Sequence, residues 1–215
     1  MNIDEINLQF NTWSKLIIDN PLVMKELDVV MKQIEPLYGL YKGKIFPEKN
    51  NIFRCFREIN IETCKYVLIG QDPYHNVYNN VPSACGLSFV TENGYINPSL
   101  RILSASLGID PLEFKDFMLD NRVLLLNTTL TVFRSQPNSH IDVWSKFTKI
   151  LINKISREKT NLNWILLGGD AKALKSEILM GNIYTAIHPA AYVNQDRKVQ
   201  ELQNLFIDCN LINRK

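Results

Sequence analysis

Four short apolar runs, separated by helix-like stretches, constrain the fold more than any other feature of the sequence. The runs span residues 66–69, 123–126, 164–167 and 183–187, and candidate helices lie near 98–108, 142–157, 170–179 and 195–208. Unbroken apolar runs of four or five residues that alternate with helices are typical of buried strands in a parallel sheet. We therefore predict an α/β protein: a three-layer α/β/α fold with a central, four-stranded, mainly parallel sheet.

The N-terminal part of the chain shows a different pattern. Residues 5–35 carry apolar side chains at helical spacing, and Asn20-Pro21 divides them into two runs. A proline after a turn residue is typical of the first position of a helix. We expect residues 1–45 to form a helical part packed on the core. A chain of 215 residues suits one domain, 1–215.

Polar or glycine-rich residues follow each of the four apolar runs directly. They are Gly70-Gln71-Asp72-Pro73-Tyr74-His75, Asn127, Gly168-Gly169-Asp170 and His188-Pro189. In open α/β sheets the ligand crevice lies outside the carboxyl ends of the strands. Topology alone therefore predicts that these four segments converge on one active site.

Several kinds of site are excluded by missing motifs. The three histidines and four widely spaced cysteines show no metal-ligand spacing and no C-x-x-C pair. The sequence contains no G-x-S-x-G nucleophile elbow, and Gly70-Gln71-Asp72-Pro73 does not supply a dinucleotide fingerprint. We expect no metal and no cofactor. What remains is a carboxylate, Asp72, with a histidine available from another strand end.

Composition limits the compartment more than the partner. A formal charge of +2 is compatible with a nucleic-acid enzyme and with most other soluble proteins. No apolar run reaches the ~18 residues of a membrane helix, and the start lacks the features of a secretory signal. With cysteines that we interpret as reduced thiols, these features predict a cytoplasmic protein that is not secreted and has no membrane partner. For a viral protein the host cytoplasm or nucleus is expected instead.

Each of these signals also has a purely structural explanation. An aspartate before proline at a strand end is often a turn residue, and a His-Pro after a strand is often a structural loop. Asn127 is equally compatible with capping a turn, and Phe89 with a place in the core. The residues alone leave these alternatives open.

Taken together and in order, the motifs resemble those of uracil-DNA glycosylases. The segment 70–75 is similar to the water-activating motif of that family. Matching segments follow at 86–89, 97–100, 124–127, 138–140 with Trp144, and 188–189. The resemblance spans about residues 45–205.

The resemblance implies a role for each matching residue. The implied catalytic residues are Asp72 and His188, and the implied substrate-binding residues are Gln71, Tyr74, Phe89 and Asn127. The implied nucleic-acid-binding residues are Pro98, Ser99, His140, Pro189 and Tyr192. The implied reaction is metal-free hydrolysis of the N-glycosidic bond of a flipped-out uracil, which leaves an abasic site and an uncut strand.

The resemblance also implies the partners. Uracil-containing DNA, single- and double-stranded, is the expected substrate. A protein inhibitor and replication or repair proteins are candidate partners of a monomeric enzyme.

Three departures from the family concern the handling of DNA. The loop after His188 places Tyr192 where the family has a wedging leucine, with packing on the protein surface as the alternative. Ala190, Val193 and Asp170 replace phosphate-contacting serines, so we expect weaker or more salt-sensitive binding to duplex DNA; Asp170 is also a candidate N-cap. About four extra residues, within 76–82, enlarge a loop beside the pocket, with an effect that the sequence leaves open.

Two other functions remain open at this stage. One is a DNA-binding or replication-accessory protein of the same fold with weak or no catalysis, which the lost serines favour. The other is a glycosylase that also accepts thymine or other mismatched bases. Tyr74 disfavours it, because its ring would occupy the place of the thymine methyl.

Overall fold

The computed structural model describes residues 3–191 and 195–213. The helices are α1 (Ile3–Phe10), α2 (Ser14–Ile18), α3 (Pro21–Leu40), α4 (Arg54–Glu58), α5 (Pro98–Leu107), α6 (Phe114–Asp120), α7 (Ile141–Glu158), α8 (Gly169–Lys172) and α9 (Gln195–Asp208). The strands are β1 (Ile45–Phe46), β2 (Tyr66–Gly70), β3 (Val77–Tyr78), β4 (Val81–Pro82), β5 (Val123–Asn127), β6 (Val132–Phe133), β7 (Asn163–Leu167) and β8 (Asn182–Ala186).

The four predicted strands form one sheet in the order β5-β2-β7-β8, and each neighbouring pair is parallel. Every residue of β2 and β5 is buried. Helices cover both faces of a parallel sheet, so the strands inside it need apolar side chains on both sides, which explains the apolar runs of β2, β5 and β7. The expectation of a buried strand is wrong for β8, which lies at the edge of the sheet and has no buried residue. The predicted three-layer α/β/α fold is confirmed.

The N-terminal helices contact the core through α3 and α1. Asn20 caps α3, because its Oδ1 accepts the backbone N–H groups of Leu22 and Val23 at 3.0 and 3.2 Å. Helix α3 packs on α7, and α1 packs on α4. One buried apolar cluster extends from Ile6 in α1 to Leu211 beyond α9. We propose that the chain forms a single domain around this cluster.

Two local expectations need correction. The helix predicted near 170–179 is only four residues long as an α-helix and continues as a 3₁₀ segment, Ala173–Glu177. Asp170 is not its N-cap: Gly168, with φ +99°, holds that position, and Asp170 lies inside the first turn. A carboxylate there still interacts favourably with the helix N-terminus.

Two further expectations concerned the cysteines and membrane-spanning segments. All four cysteines are buried and free, as predicted. Across 3–191 and 195–213, no helix combines the length and the apolar character needed to cross a membrane.

Candidate active site

The loops that follow the carboxyl ends of the strands enclose a cavity of about 370 Å³. This lies within the usual size range of small-molecule sites, roughly 300–1,000 Å³. Eight of the predicted site residues line it: Gln71, Asp72, Tyr74, Phe89, Pro98, Ser99, Asn127 and His188. Three of the four segments that topology predicted to converge contribute to this lining, because parallel strands end at one edge of the sheet. Gly168-Gly169-Asp170 does not line the cavity, although a Cβ atom at Gly168 would lie 3.1 Å from His188 Cβ.

Asp72 is held in place by a main-chain donor from another loop. The backbone N–H of Asn138 donates to Asp72 Oδ2 at 2.7 Å. The Asn138 side chain also accepts a hydrogen bond from Gln71 Nε2 at 2.9 Å, which ties the two loops together. Burial raises the pKa of Asp72 above its usual 3.8, the hydrogen bond from Asn138 opposes this rise, and the neighbouring charge of Asp170 adds to it.

His188 presents a defined proton to the cavity. The backbone N–H of Ala190 donates to its Nδ1 at 3.1 Å. A nitrogen that accepts a hydrogen bond carries no proton, so the neutral ring has its proton on Nε2. Burial lowers the pKa of His188 below 6.5, and the positive charge of Lys198 lowers it further. The ring is therefore held as a neutral donor.

Phe89 and Asn127 form one wall of the cavity, and both side chains pack closely against Gly70. Both side chains are buried, with 7% of each residue exposed. A Cβ atom at Gly70 would lie 2.7 Å from Asn127 Oδ1 and 2.8 Å from Phe89 Cζ. Within the described chain no other residue takes up the side-chain amide of Asn127, so its donor and acceptor are available to a planar ligand.

Tyr74 occupies the cavity wall on the side of α5. Its hydroxyl group lies 2.8 Å from Ser99 Oγ and 3.2 Å from the carbonyl oxygen of Phe89, to which it donates. Burial raises the pKa of the Tyr74 phenol, so it stays protonated. Ser99 is itself buried, with 3% exposed. Its hydroxyl group positions the Tyr74 ring in this structure.

The predicted DNA-contacting residues do not all reach the surface. His140 is 3% exposed, and its Nδ1 lies 2.8 Å from Thr131 Oγ1, so its side chain belongs to the interior and not to a DNA-facing surface. Burial lowers the pKa of His140. Pro98 is exposed at the start of α5, whereas Pro189 is buried. Tyr192 and Val193 lie outside the described residues.

Lys198 has a place in the site that the sequence did not indicate. It lies on α9 and is buried, with 2% exposed. Its Nζ donates to the carbonyl oxygens of Pro189 (3.0 Å) and Ala191. A buried ammonium group needs such partners. It thereby anchors the loop that carries His188, and a lysine in the first turn of α9 gives no sequence signal of that contact.

The sequence predicted that the protein binds no metal. Within 3–191 and 195–213 there is no group of three or more His, Cys, Asp or Glu side chains arranged to hold a metal ion.

Comparisons with known proteins agree with this geometry. The model of the uracil DNA glycosylase superfamily matches residues 56–210. The uracil-DNA glycosylase of Francisella tularensis subsp. tularensis (strain WY96-3418) is 40% identical over 190 residues, which cover 81% of this chain and 83% of the relative.

Two solved structures share the fold. Mimivirus uracil-DNA glycosylase superposes with a TM-score of 0.72 at 20% identity, covering 89% of this chain and 72% of that one, and a variant of it has been solved in complex with UGI. The UNG of Nitratifractor salsuginis gives a TM-score of 0.70 at 19% identity over 99% of this chain and 97% of that one. The family model and the identity to the Francisella enzyme together show that the chain belongs to the uracil DNA glycosylase superfamily.

Proposed function

We propose that this chain excises uracil from DNA by hydrolysing the N-glycosidic bond, with Asp72, His188, Asn127, Phe89 and Tyr74 as the working side chains. The observation that carries the proposal is their convergence in one cavity. The cavity offers a carboxylate for the positive charge on the sugar and a neutral imidazole donor for the negative charge on the departing uracil. It also offers a free amide for the polar edge of the base and an aromatic ring for its face. A base stacked in DNA cannot reach this cavity, so the nucleotide must flip out first, at a cost of a few kcal/mol.

The bond-breaking step separates charge, and the site holds a group for each sign. Positive oxocarbenium character develops on the sugar, where the Asp72 carboxylate stabilises it and orients the attacking water. Negative charge develops on the uracil, where the Nε2–H of His188 donates a hydrogen bond that strengthens as the charge grows. Water adds to the sugar carbon and loses a proton, uracil leaves as the anion and takes up a proton, and the product is an abasic site with the strand intact.

Recognition of uracil depends on Asn127 and Phe89. The amide of Asn127 offers a donor and an acceptor side by side to the polar edge of the base. Cytosine reverses that pattern and would leave buried groups unpaired, which costs about 1–3 kcal/mol for each group. The ring of Phe89 stacks on the flipped pyrimidine, and backbone N–H groups around Gln71 complete the pocket.

Release of uracil from matched single-stranded and duplex oligonucleotides, with EDTA present, tests the proposal. Strand cleavage only after alkali treatment is the expected result, because it identifies a metal-free glycosylase that does not cut the strand. Binding of DNA without any release of uracil would instead support the accessory-protein function.

Tyr74→Ala is expected to create activity on thymine. Removing the ring opens the side of the pocket where thymine carries its methyl group. Tyr74→Phe is the matched control, since it loses the hydroxyl contacts to Ser99 and Phe89 but keeps the ring, and it should still reject thymine. Base release from oligonucleotides that contain a G·T mismatch or G·U pair measures both. If Tyr74→Ala gained no activity on thymine, the ring would not be the element that excludes it.

The pH dependence follows from the two catalytic groups. Activity needs Asp72 ionised and His188 neutral, and acidification removes both forms. Because the pKa of Asp72 is raised and that of His188 is lowered, kcat/KM should be constant around neutral pH and fall on the acid side. Asp170→Asn removes a negative charge that raises both pKa values, so this variant should shift the acid limb to lower pH. A shift to higher pH would contradict the assignment.

The loops next to the cavity offer few hydroxyl groups to the phosphates of DNA, which supports an altered contact with the DNA backbone. Ala190 lines the cavity without a hydroxyl group, and the Ser99 hydroxyl is engaged by Tyr74, so fewer donors are available to phosphate. Binding to duplex DNA should be weaker or more sensitive to salt than in relatives that carry these serines. Tyr192 remains our candidate for the wedge that fills the gap left by the flipped base.

The wider assignment rests on the same family membership. Uracil-containing DNA, single- and double-stranded, is the substrate partner, and the enzyme acts as a monomer. A protein inhibitor and repair or replication proteins are candidate partners. Four buried thiols suit a reducing compartment, so we place the protein in the cytoplasm, or in the host cytoplasm or nucleus for a virus.

A further inference from the structure

The extra residues after the Asp72 loop form a small, well-fixed hairpin. Strands β3 and β4 pair antiparallel, and Asn79 and Asn80 between them have φ values of 49° and 62°. Positive φ at both positions is what a two-residue turn matched to the strand twist requires. The hairpin is tied to the following segment by Asn93, whose Nδ2 donates to the Val81 carbonyl and to Ser83 Oγ, both at 2.9 Å.

The hairpin places Tyr78 against Tyr95. Their ring centroids are 5.4 Å apart, with a 35° angle between the planes. Both residues are exposed, Tyr78 at 41% and Tyr95 at 38%. Tyr95 also lines the cavity that contains Asp72. The pair of rings therefore continues the wall of the active site outwards onto the surface.

A buried donor lies beside the same wall. Asn97 lines the cavity and is 6% exposed, and its Nδ2 has no hydrogen-bond partner among the described residues. Buried donors are rarely left without an acceptor. Its place two residues after Tyr95 is consistent with a polar ligand that passes from the cavity over this wall.

We propose that Tyr78 and Tyr95 form a stacking platform for an unpaired nucleobase of the strand that carries the flipped uracil. The occupant is a base of the same strand, because the platform continues the wall of the uracil cavity. The nucleotides next to the flipped uracil therefore lie near the two rings. Every base has a π-face, so such stacking tolerates any sequence. In a duplex the neighbouring bases are already paired and stacked, so the platform favours single-stranded DNA. This inference rests on the proposed function.

The test compares uracil-containing single strands with and without bases at the two positions on each side of the uracil. Tyr78→Ala and Tyr95→Ala should raise KM for the ordinary single strand about tenfold, and duplex substrate should be affected less. Tyr78→Phe and Tyr95→Phe keep the rings and should restore KM to within about twofold. On the strand that lacks neighbouring bases, the alanine variants should cause no further loss. Leu8→Ala removes a side chain that is 71% exposed on α1 and serves as the control for loss of a surface apolar group.

Each result decides the proposal. An unchanged KM in both alanine variants would show that the rings do not contact DNA, and would direct attention to a protein partner at this surface. An equal loss on strands with and without neighbouring bases would show that the rings only support the pocket, and would also reject stacking. If the unsubstituted protein released no uracil, the proposed function itself would fail. Fluorescence anisotropy with the same oligonucleotides would then still test the platform by binding.

Discussion

Asp72→Asn is expected to lower the rate of uracil release by about three orders of magnitude while affinity for uracil-containing DNA stays within a few-fold. The lost interaction is that between a carboxylate and the cationic sugar of the transition state. At a separation of about 4 Å and an effective dielectric constant of about 20, such a pair contributes about 4 kcal/mol, which is about a thousandfold in rate. The ground-state sugar is neutral, so binding loses little.

The substitution is close to isosteric, which makes the result interpretable. An asparagine oxygen still accepts the N–H of Asn138, now 2.7 Å from Asp72 Oδ2, so the loop should keep its conformation. Single-turnover release and equilibrium binding on one oligonucleotide separate rate from affinity. Asp170→Asn is the matched control, because it removes a nearby carboxylate that does not line the cavity, and at neutral pH it should change the rate by less than a few-fold. Activity of Asp72→Asn within about threefold of the unsubstituted protein would mean that another group does the work.

The sheet was predictable because a buried parallel strand requires apolar side chains at consecutive positions, and such a run can be recognised in the sequence. A strand of a parallel sheet is covered on both faces, so 66–69 and 123–126 had to be apolar without alternation. The residues that follow these strands had to share an edge, which placed Asp72, Asn127 and His188 in one site without any knowledge of tertiary contacts.

Other features depend on contacts that residue type does not encode. The donor to Asp72 is the main-chain N–H of Asn138, and any residue but proline supplies that group. The resemblance implied that His140 contacts DNA, yet its ring packs inside against Phe133, with ring centroids 4.8 Å apart. Whether a loop side chain is buried or exposed depends on tertiary packing, which the local sequence does not determine.

The hairpin at 76–82 differs from these contacts, because the sequence does contain a pattern typical of a hairpin. Two asparagines flanked by β-forming residues are a typical hairpin sequence, since asparagine tolerates positive φ. The short strands of only two residues each gave too little alternation to be recognised. Its place beside the cavity, opposite Tyr95, could come only from the structure.

Gly70→Ala is expected to lower kcat/KM for uracil-containing DNA about a hundredfold in a protein that still folds. The added Cβ would meet Asn127 Oδ1 at 2.7 Å and Phe89 Cζ at 2.8 Å. Atoms cannot remain at these distances, so the amide and the ring to which we assign recognition of the base must both move. A displacement of about 1 Å in a positioned group costs about a hundredfold, whereas the overpacking itself costs about 1–3 kcal/mol of stability.

The expected effect is on recognition of the base, which gives the experiment its specificity. Free uracil should inhibit the Gly70→Ala variant far less than the unsubstituted protein if, as we propose, the product binds to the same amide and ring. Gly169→Ala is the matched control at the same edge of the sheet: a Cβ there has no atom within 4 Å, and alanine is the better residue in a helix, so activity and stability should be kept. Thermal unfolding must show that Gly70→Ala remains folded at the assay temperature. If that folded variant bound uracil and turned over DNA normally, Asn127 and Phe89 would not be the residues that hold the base, and the pocket assignment would have to move to another wall of the cavity.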